Sequence, residues 1–502
     1  MQKREMWGSR TGFIMAAVGS AIGLGNIWRF PYMVYDNGGG AFLIPYFTAM
    51  LIAGIPFMIL EFGLGKKFIG SAPKVFSSIS KKWEWLGWWQ VMVSFIITTY
   101  YAVVVAWALN YFVLAFFQGW GTTPKDFFFK KFLAVTDSPL HFGNAQPEIV
   151  IATAAAWFLT IFAVFTGVKG GIERTNKIFM PLLFLLVFIF IGRGLMLPGA
   201  VDGLNWLFTP DFSAILDGKV WADAFGQIFY SLSIGFAIML SYASYLPEES
   251  DISNNACMTV FINCGFSVIS GIMIFSVLGY MAQQQGVPIS KIATSGVGLA
   301  FITLPTAINL MPAPIFFGTL FFLALSVAGL SSMISLNEVV VAALMEKMNI
   351  SRKKAALLFC TVGFVISIAF TTGGGLLLLD IVDHFINNFG VLLGGVIEII
   401  FVAWFCRIDD LRAYINSSSE IKIGRLWSIS IRFIAPAMLF FMLVSNFVGD
   451  VSKNYGGYST AATLAFGWST LFICIAFAAV CSRQNHAFAP IVNTNKNFLK
   501  RR

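Results

Sequence analysis

The sequence predicts an all-α membrane protein of about 12 transmembrane helices, with the first and sixth interrupted. Three observations carry this. Of its 502 residues, 58% are hydrophobic and only 11% are charged, too little charge to cover a soluble domain of this size. The apolar residues come in blocks that approach or exceed the ~20 residues a membrane helix needs. Two of the blocks are broken by glycine-rich strings at matching places in the chain.

The blocks run over roughly 11–34, 41–65, 87–117, 149–168, 176–198, 221–245, 256–283, 314–345, 355–371, 376–405, 431–448 and 461–481. Long uncharged stretches such as Pro181–Ile191 do not alternate faces as soluble helices do. Short polar or Gly/Pro loops separate the blocks; 118–148, 199–220 and 285–313 are longer. Lys3 and Arg4 ahead of an apolar run resemble a signal peptide. The run continues past any cleavage site and reads as the first span.

The net charge of +9 sorts by loop. Of 33 Lys and Arg, 25 fall on one side: the N-terminus, the loops around Lys66–Lys82, Lys169–Lys177, Lys347–Lys354 and Arg407–Arg432, and the tail 482–502. The positive-inside rule makes that side cytoplasmic and puts both termini there, as in a multi-pass protein of the inner (plasma) membrane. The charge therefore reports topology rather than nucleic-acid binding. All six Cys lie in or beside apolar blocks and read as packing thiols. No Cys or His has zinc-ligand spacing, and no catalytic cluster or ring of filter residues appears, which leaves no support for an enzyme or a channel.

The first interrupted span holds Gly19-Ser20-Ala21-Ile22-Gly23-Leu24-Gly25-Asn26; the sixth holds Ser231-Leu232-Ser233-Ile234-Gly235-Phe236. Unwound backbone at membrane depth survives only where it lines a cavity. Paired interruptions, one in each set of five spans, mark a central binding site. Close helix packing could explain Gly23 or Gly25 singly, but not Asn26 and Arg29 following at once.

These strings resemble the neurotransmitter:sodium symporter family, in its bacterial amino-acid branch. The matching text includes Arg4 and Trp7, the run from Gly19 to Pro31, Asn37–Phe42, Gly226–Phe229, Ser241–Tyr245, Phe301–Pro305 and Ala328–Ser332. The resemblance runs from about Arg4 through the tenth span and more weakly beyond. It implies a single transporter domain over 1–502: a 5+5 inverted repeat of 11–198 and 221–405, then two further helices in 431–481 and a tail.

The resemblance also implies a site. One Na+ would take the Ala21 carbonyl, the Asn26 and Asn263 side chains, Ser231 and the substrate's carboxylate. A second would take carbonyls of Gly19, Ile22 and Ala328 and the hydroxyls of Ser331 and Ser332. Neutral oxygens suit a hard cation. The substrate's carboxylate would meet the N–H groups of Leu24 and Gly25 beside Gly23, where a half-helix begins, and the Tyr101 hydroxyl. Its side chain would lie among Ser20, Ile97, Val104, Ser233, Phe236, Ser332 and Leu336, with Tyr230 and Tyr101 as a lid. Arg29 and Asp383 would form an outer gate. Arg4 and Glu346 would form an inner one near Trp7 and Tyr245. Tyr46, Gln227, Ser231, Asn263 and Ser267 match a chloride site; either chloride fills it or a carboxylate does, with Asp223 the nearest candidate. Glu61, Glu338 and Glu398 lie within spans and receive no role.

The expectation is a sodium-coupled symporter for a small neutral amino acid by alternating access, stimulated by chloride. A non-α-amino acid or betaine-like zwitterion is the alternative substrate, and a non-transporting membrane sensor the alternative class. The other partner implied is membrane lipid; the oligomeric state is left open.

Overall fold

The computed structural model describes residues 5–292, 296–484 and 488. Most of the tail 482–502 thus lies outside the described residues. The described residues form helices joined by loops, with two isolated bridges in loops as the extended pairing. Helix is the form that satisfies every backbone donor within its own segment, as lipid demands.

Among the described residues, ten helices are long and apolar enough to cross a membrane: Gly40–Phe68, Lys81–Ala115, Pro147–Phe165, Val168–Gly194, Ile252–Gln285, Pro314–Met348, Arg352–Phe370, Gly375–Phe405, Arg425–Gly457 and Thr460–Arg483. The first expected span is a pair, Arg10–Ala21 and Gly25–Asp36, bent by 55°. The sixth, expected over 221–245, is likewise two pieces, Gly218–Ser231 and Ile238–Ala243. Neither piece alone is long enough to span. Five of the expected loops also contain helix: Ala72–Ile79, 124–132, Ala200–Phe208, Leu299–Leu310 and Ile408–Ser418.

Span three (Lys81–Ala115) and span eight (Pro314–Met348) pack side by side at the centre; 89% of the apolar window of span three is buried against 22% for span twelve. The outer spans show phenylalanine and isoleucine to their surroundings, as at Ile151, Phe158, Phe162 and Phe472. That is the pattern of a lipid-facing shell around a protein-facing core. The six cysteines are unbridged.

The breaks are held open by specific groups. In span six Ser233 and Ala237 adopt left-handed φ of 53° and 63°, and Gly235 81°. Glu61, buried on span two, accepts the freed Gly235 N–H at 2.7 Å. The Ser94 hydroxyl on span three donates to the Phe236 carbonyl at 2.7 Å. In span one the Gly23 N–H donates to Asn26 Oδ1 at 3.0 Å. Each orphaned backbone group is costly in a dry interior, so these side chains are what the interruption requires.

Candidate functional site

The two breaks face each other across a cavity of about 50 Å³. Eleven of the twelve residues expected to bind substrate line it: Ser20, Gly23, Leu24, Gly25, Ile97, Tyr101, Tyr230, Ser233, Phe236, Ser332 and Leu336. Val104 does not. Ile97 and Tyr101 are one helical turn apart and share a face; Val104 is buried a turn further on, outside the lining. Ile238 lines the cavity instead, and no sequence signal marked it. Ala21, Asn26 and Ser231 reach the same wall.

Close approach explains one glycine. A Cβ on Gly23 would lie 2.7 Å from Ser332 Oγ and 3.2 Å from the Tyr101 hydroxyl. Any side chain there would displace the two hydroxyls that border the start of the second half-helix. Leu24 and Gly25 begin that half-helix, so their N–H groups form an anion-favouring end.

The first ion set is assembled around Asn26. Its Nδ2 donates to Asn263 Oδ1 at 2.9 Å and to Ser267 Oγ at 2.8 Å, while Asn263 Nδ2 donates to Ser231 Oγ at 3.1 Å. Spans one, six and seven are thereby tied through neutral polar groups. In the second set, Ser332 Oγ donates to the Ser20 and Ile22 carbonyls at 3.2 and 3.5 Å, joining span eight to the break of span one. Ser331 Oγ donates at 2.6 Å to Asn176 on span five, a residue the sequence reading did not single out.

The anion set is buried, and part of it is unsatisfied. Tyr46, Gln227, Asn263 and Ser267 are fully buried and Ser231 nearly so. Both amide atoms of Gln227 have no hydrogen-bond partner, and the Tyr46 hydroxyl lies against Ser231, Cys264 and Ser267. A buried amide left alone is rare, and a free N–H beside these hydroxyls fits an anion. Asp223 has Asn37, Lys219 and Arg29 as its polar neighbours and does not join the cluster.

The outer gate differs from expectation. Arg29 and Asp383 are not ion-paired. The Arg29 guanidinium lies over the Tyr230 ring, 4.4 Å from its centroid. Asp383 instead accepts from the Tyr100 hydroxyl at 2.7 Å and from Asn387 Nδ2 at 2.8 Å. Each charge has found a local partner, a cation–π contact for one and hydrogen bonds for the other. Tyr100, next to the predicted Tyr101, was not anticipated.

At the face that carries the basic loops the N-terminal segment is held against spans five and six. Arg4 lies outside the described residues. Trp7 donates its indole N–H to the Tyr242 carbonyl at 2.8 Å and its backbone N–H to the Tyr245 carbonyl at 3.1 Å. Glu346 accepts from the Ser71 N–H and hydroxyl at 2.9 and 2.7 Å, with Lys74 Nζ 4.0 Å away. Glu338, given no role from sequence, is central here. It accepts from the Tyr245 hydroxyl at 2.7 Å and from Arg352 at 2.5 Å, and Arg352 also reaches Glu5 at 3.3 Å. Glu173 holds the N-terminal segment through Gly8 N–H and the Ser9 hydroxyl. The carboxylates on spans five and eight and Arg352 on span nine thus fasten the N-terminal strap.

Known proteins share this arrangement. The profile of the Sodium:neurotransmitter symporter family matches residues 4–122 and 120–487. An uncharacterized sodium-dependent transporter of Methanocaldococcus jannaschii is 44% identical over 476 residues, 95% of this chain and 96% of that protein. The sodium- and chloride-dependent creatine transporter 1 of Bos taurus is 34% identical over 94% of this chain and 82% of its own. Among solved structures, MhsT in complex with L-phenylalanine superposes with a TM-score of 0.77 at 34% identity, over 89% of this chain and 100% of that one. With a broken-helix cavity, polar sets on both sides of it and matches across nearly its whole length, the chain belongs to the sodium:neurotransmitter symporter family: it is a multi-pass, sodium-dependent membrane symporter and not an enzyme.

Proposed function

We propose that this symporter imports a small neutral amino acid together with two sodium ions, by alternating access, and that chloride supports transport. The observation that carries the reading is the cavity between the two breaks. Its wall combines a half-helix start at Leu24 and Gly25, the Tyr101 hydroxyl, and Asn26. A carboxylate bound there would sit beside a sodium ion held by Asn26. A unit pair about 4 Å apart at an effective dielectric near 20 is worth roughly 4 kcal/mol. Ion and solute would each strengthen the other's binding by the same amount. The remaining wall (Ile97, Phe236, Ile238, Leu336) suits an uncharged side chain.

Charge accounting supports chloride. Two sodium ions and a zwitterion bring a net double positive charge into a dry centre, where uncompensated charge is costly. Ser267 supplies no carboxylate, and the unpartnered Gln227 amide beside the Tyr46 hydroxyl stands ready for an anion. The bovine relative is chloride-dependent by name, and MhsT holds an amino acid. The same bovine relative carries creatine, which keeps a non-α zwitterion as the second reading. The fastened basic face, taken as closed and as cytoplasmic in the plasma membrane, and the unpaired outer gate describe the stage before substrate closure. The halves 11–198 and 221–405 would then rock about the cavity.

Sodium-gradient-driven uptake into proteoliposomes tests the reading. Accumulation of an unmodified neutral amino acid, abolished by collapsing the gradient, is expected. Saturable binding with no accumulation would point to a sensor, and uptake of creatine or a betaine but no α-amino acid to the second substrate class.

A further inference from the structure

The second sodium set contains a bond from span eight to span five, beside the one that Ser332 sends to span one. Ser326 and Ser335 donate their hydroxyl protons back along their own helix, to the Phe322 and Ser331 carbonyls at 2.7 and 3.3 Å. That is the ordinary arrangement for a serine inside a helix. Ser331 instead donates across to span five, to Asn176 Oδ1 at 2.6 Å. Asn176 is fully buried. Its Nδ2 donates to the Ile172 carbonyl at 2.9 Å, which fixes the amide with its oxygen toward Ser331.

The neighbouring backbone has made room for this contact. A Cβ on Gly19 would lie 2.2 Å from Asn176 Oδ1 and 2.5 Å from Ser331 Oγ. Spans one, five and eight therefore meet at one point, and that point is where the Gly19 carbonyl and Ser331 hydroxyl belong to one proposed ion shell.

We propose that Asn176 is a positioning residue for the second sodium ion: it takes the proton of Ser331 so that the hydroxyl's lone pairs face the ion. This rests on the reading that Ser331 is a ligand of that ion. A hydroxyl has one proton and two lone pairs. A cation needs a lone pair, so the proton must point elsewhere. Asn176 receives it at a fixed angle, from an element other than the two that carry the ligands. An outer partner of this kind orients the ligand and increases its donor strength.

The test is equilibrium binding of radiolabelled sodium to the purified full-length protein without substrate, in wild type, Asn176→Ala, Asn176→Asp, Ser331→Ala and the Ser331→Ala/Asn176→Ala double variant. Asn176→Ala should weaken sodium binding about tenfold. Asn176→Asp, buried and so protonated, keeps an acceptor oxygen for Ser331 and an O–H donor for the Ile172 carbonyl, and should bind sodium as tightly as wild type or more so. The double variant should be no weaker than Ser331→Ala alone, because Asn176 acts through Ser331. Additive losses in the double variant, unchanged binding in Asn176→Ala, or an Asp variant as weak as the Ala variant would each overturn the proposal. Should Asn176→Ala fail to fold, the Asp variant still decides: weakened sodium binding there overturns it. Ser331→Ala with unchanged sodium binding would instead overturn the ligand assignment on which the proposal stands.

Discussion

Replacing Tyr245 by Phe removes one hydroxyl and leaves the ring packing and the Trp7 N–H to Tyr245 carbonyl bond in place. The hydroxyl donates at 2.7 Å to Glu338, which is fully buried and whose other oxygen is held by Arg352. A hydrogen bond to a charged partner contributes about 1.5–3 kcal/mol. In the closed form the orphaned carboxylate oxygen finds no water; in an open form it does. The loss therefore falls on the closed form alone. At 1.4 kcal/mol per factor of ten, the open-to-closed ratio at the basic face should rise about 10- to 150-fold. Glu338→Gln should shift it further, because it leaves Arg352 without its buried partner, a change worth about 3–5 kcal/mol. Spin labels on exposed Met6 and Lys354 would report the opening by pulsed distance measurement in sodium without substrate. A ratio unchanged within about twofold in Tyr245→Phe, where the hydrogen bond predicts at least tenfold, would refute the idea that this network holds the face closed.

Four further outcomes are expected. Asn26→Ala should weaken sodium and substrate binding together; sodium affinity equal to wild type without substrate would remove Asn26 from the first ion shell. Asp383→Asn should lower the fraction of molecules whose outer side closes on substrate more than it lowers initial binding, read from a labelled cysteine pair across the outer vestibule; equal closed fractions would discard the gate. Uptake should fall when gluconate replaces chloride, and Ser267→Glu should transport equally in both anions; a glutamate variant that still needs chloride would displace the anion from Ser267. Ser20 presents a buried hydroxyl without a partner in the cavity wall, so serine should bind better than its isostere 2-aminobutyrate by about fivefold. Ser20→Ala should erase that preference, and a preference that survives would place the selecting group elsewhere.

The apolar blocks, the sorted basic residues and the two glycine-rich interruptions were legible in the linear sequence. Each is a property of one segment facing lipid, water or a cavity, and a segment carries that record in its own composition. The family strings placed Ala21, Asn26, Ser231 and most of the cavity wall, because those residues sit on or beside the interruptions. Val104 shares the helical face of Ile97 and Tyr101 but lies a turn beyond the cavity lining, and how far along span three the cavity reaches is fixed only by packing. Asn176, Tyr100, Glu61, Glu338 and Arg352 were invisible as functional groups for a different reason. Each completes a hydrogen bond whose other half is on another span: Asn176 for Ser331, Tyr100 for Asp383, Glu61 for the freed Gly235 N–H, and Glu338 for Tyr245 and Arg352. The sequence by itself determined that the chain crosses the membrane, where its helices break and which polar groups surround the breaks. Only the tertiary structure decided how those groups are partnered, because a buried polar group takes its partner from whatever packing brings within 3 Å, and packing joins residues that the chain keeps hundreds of positions apart.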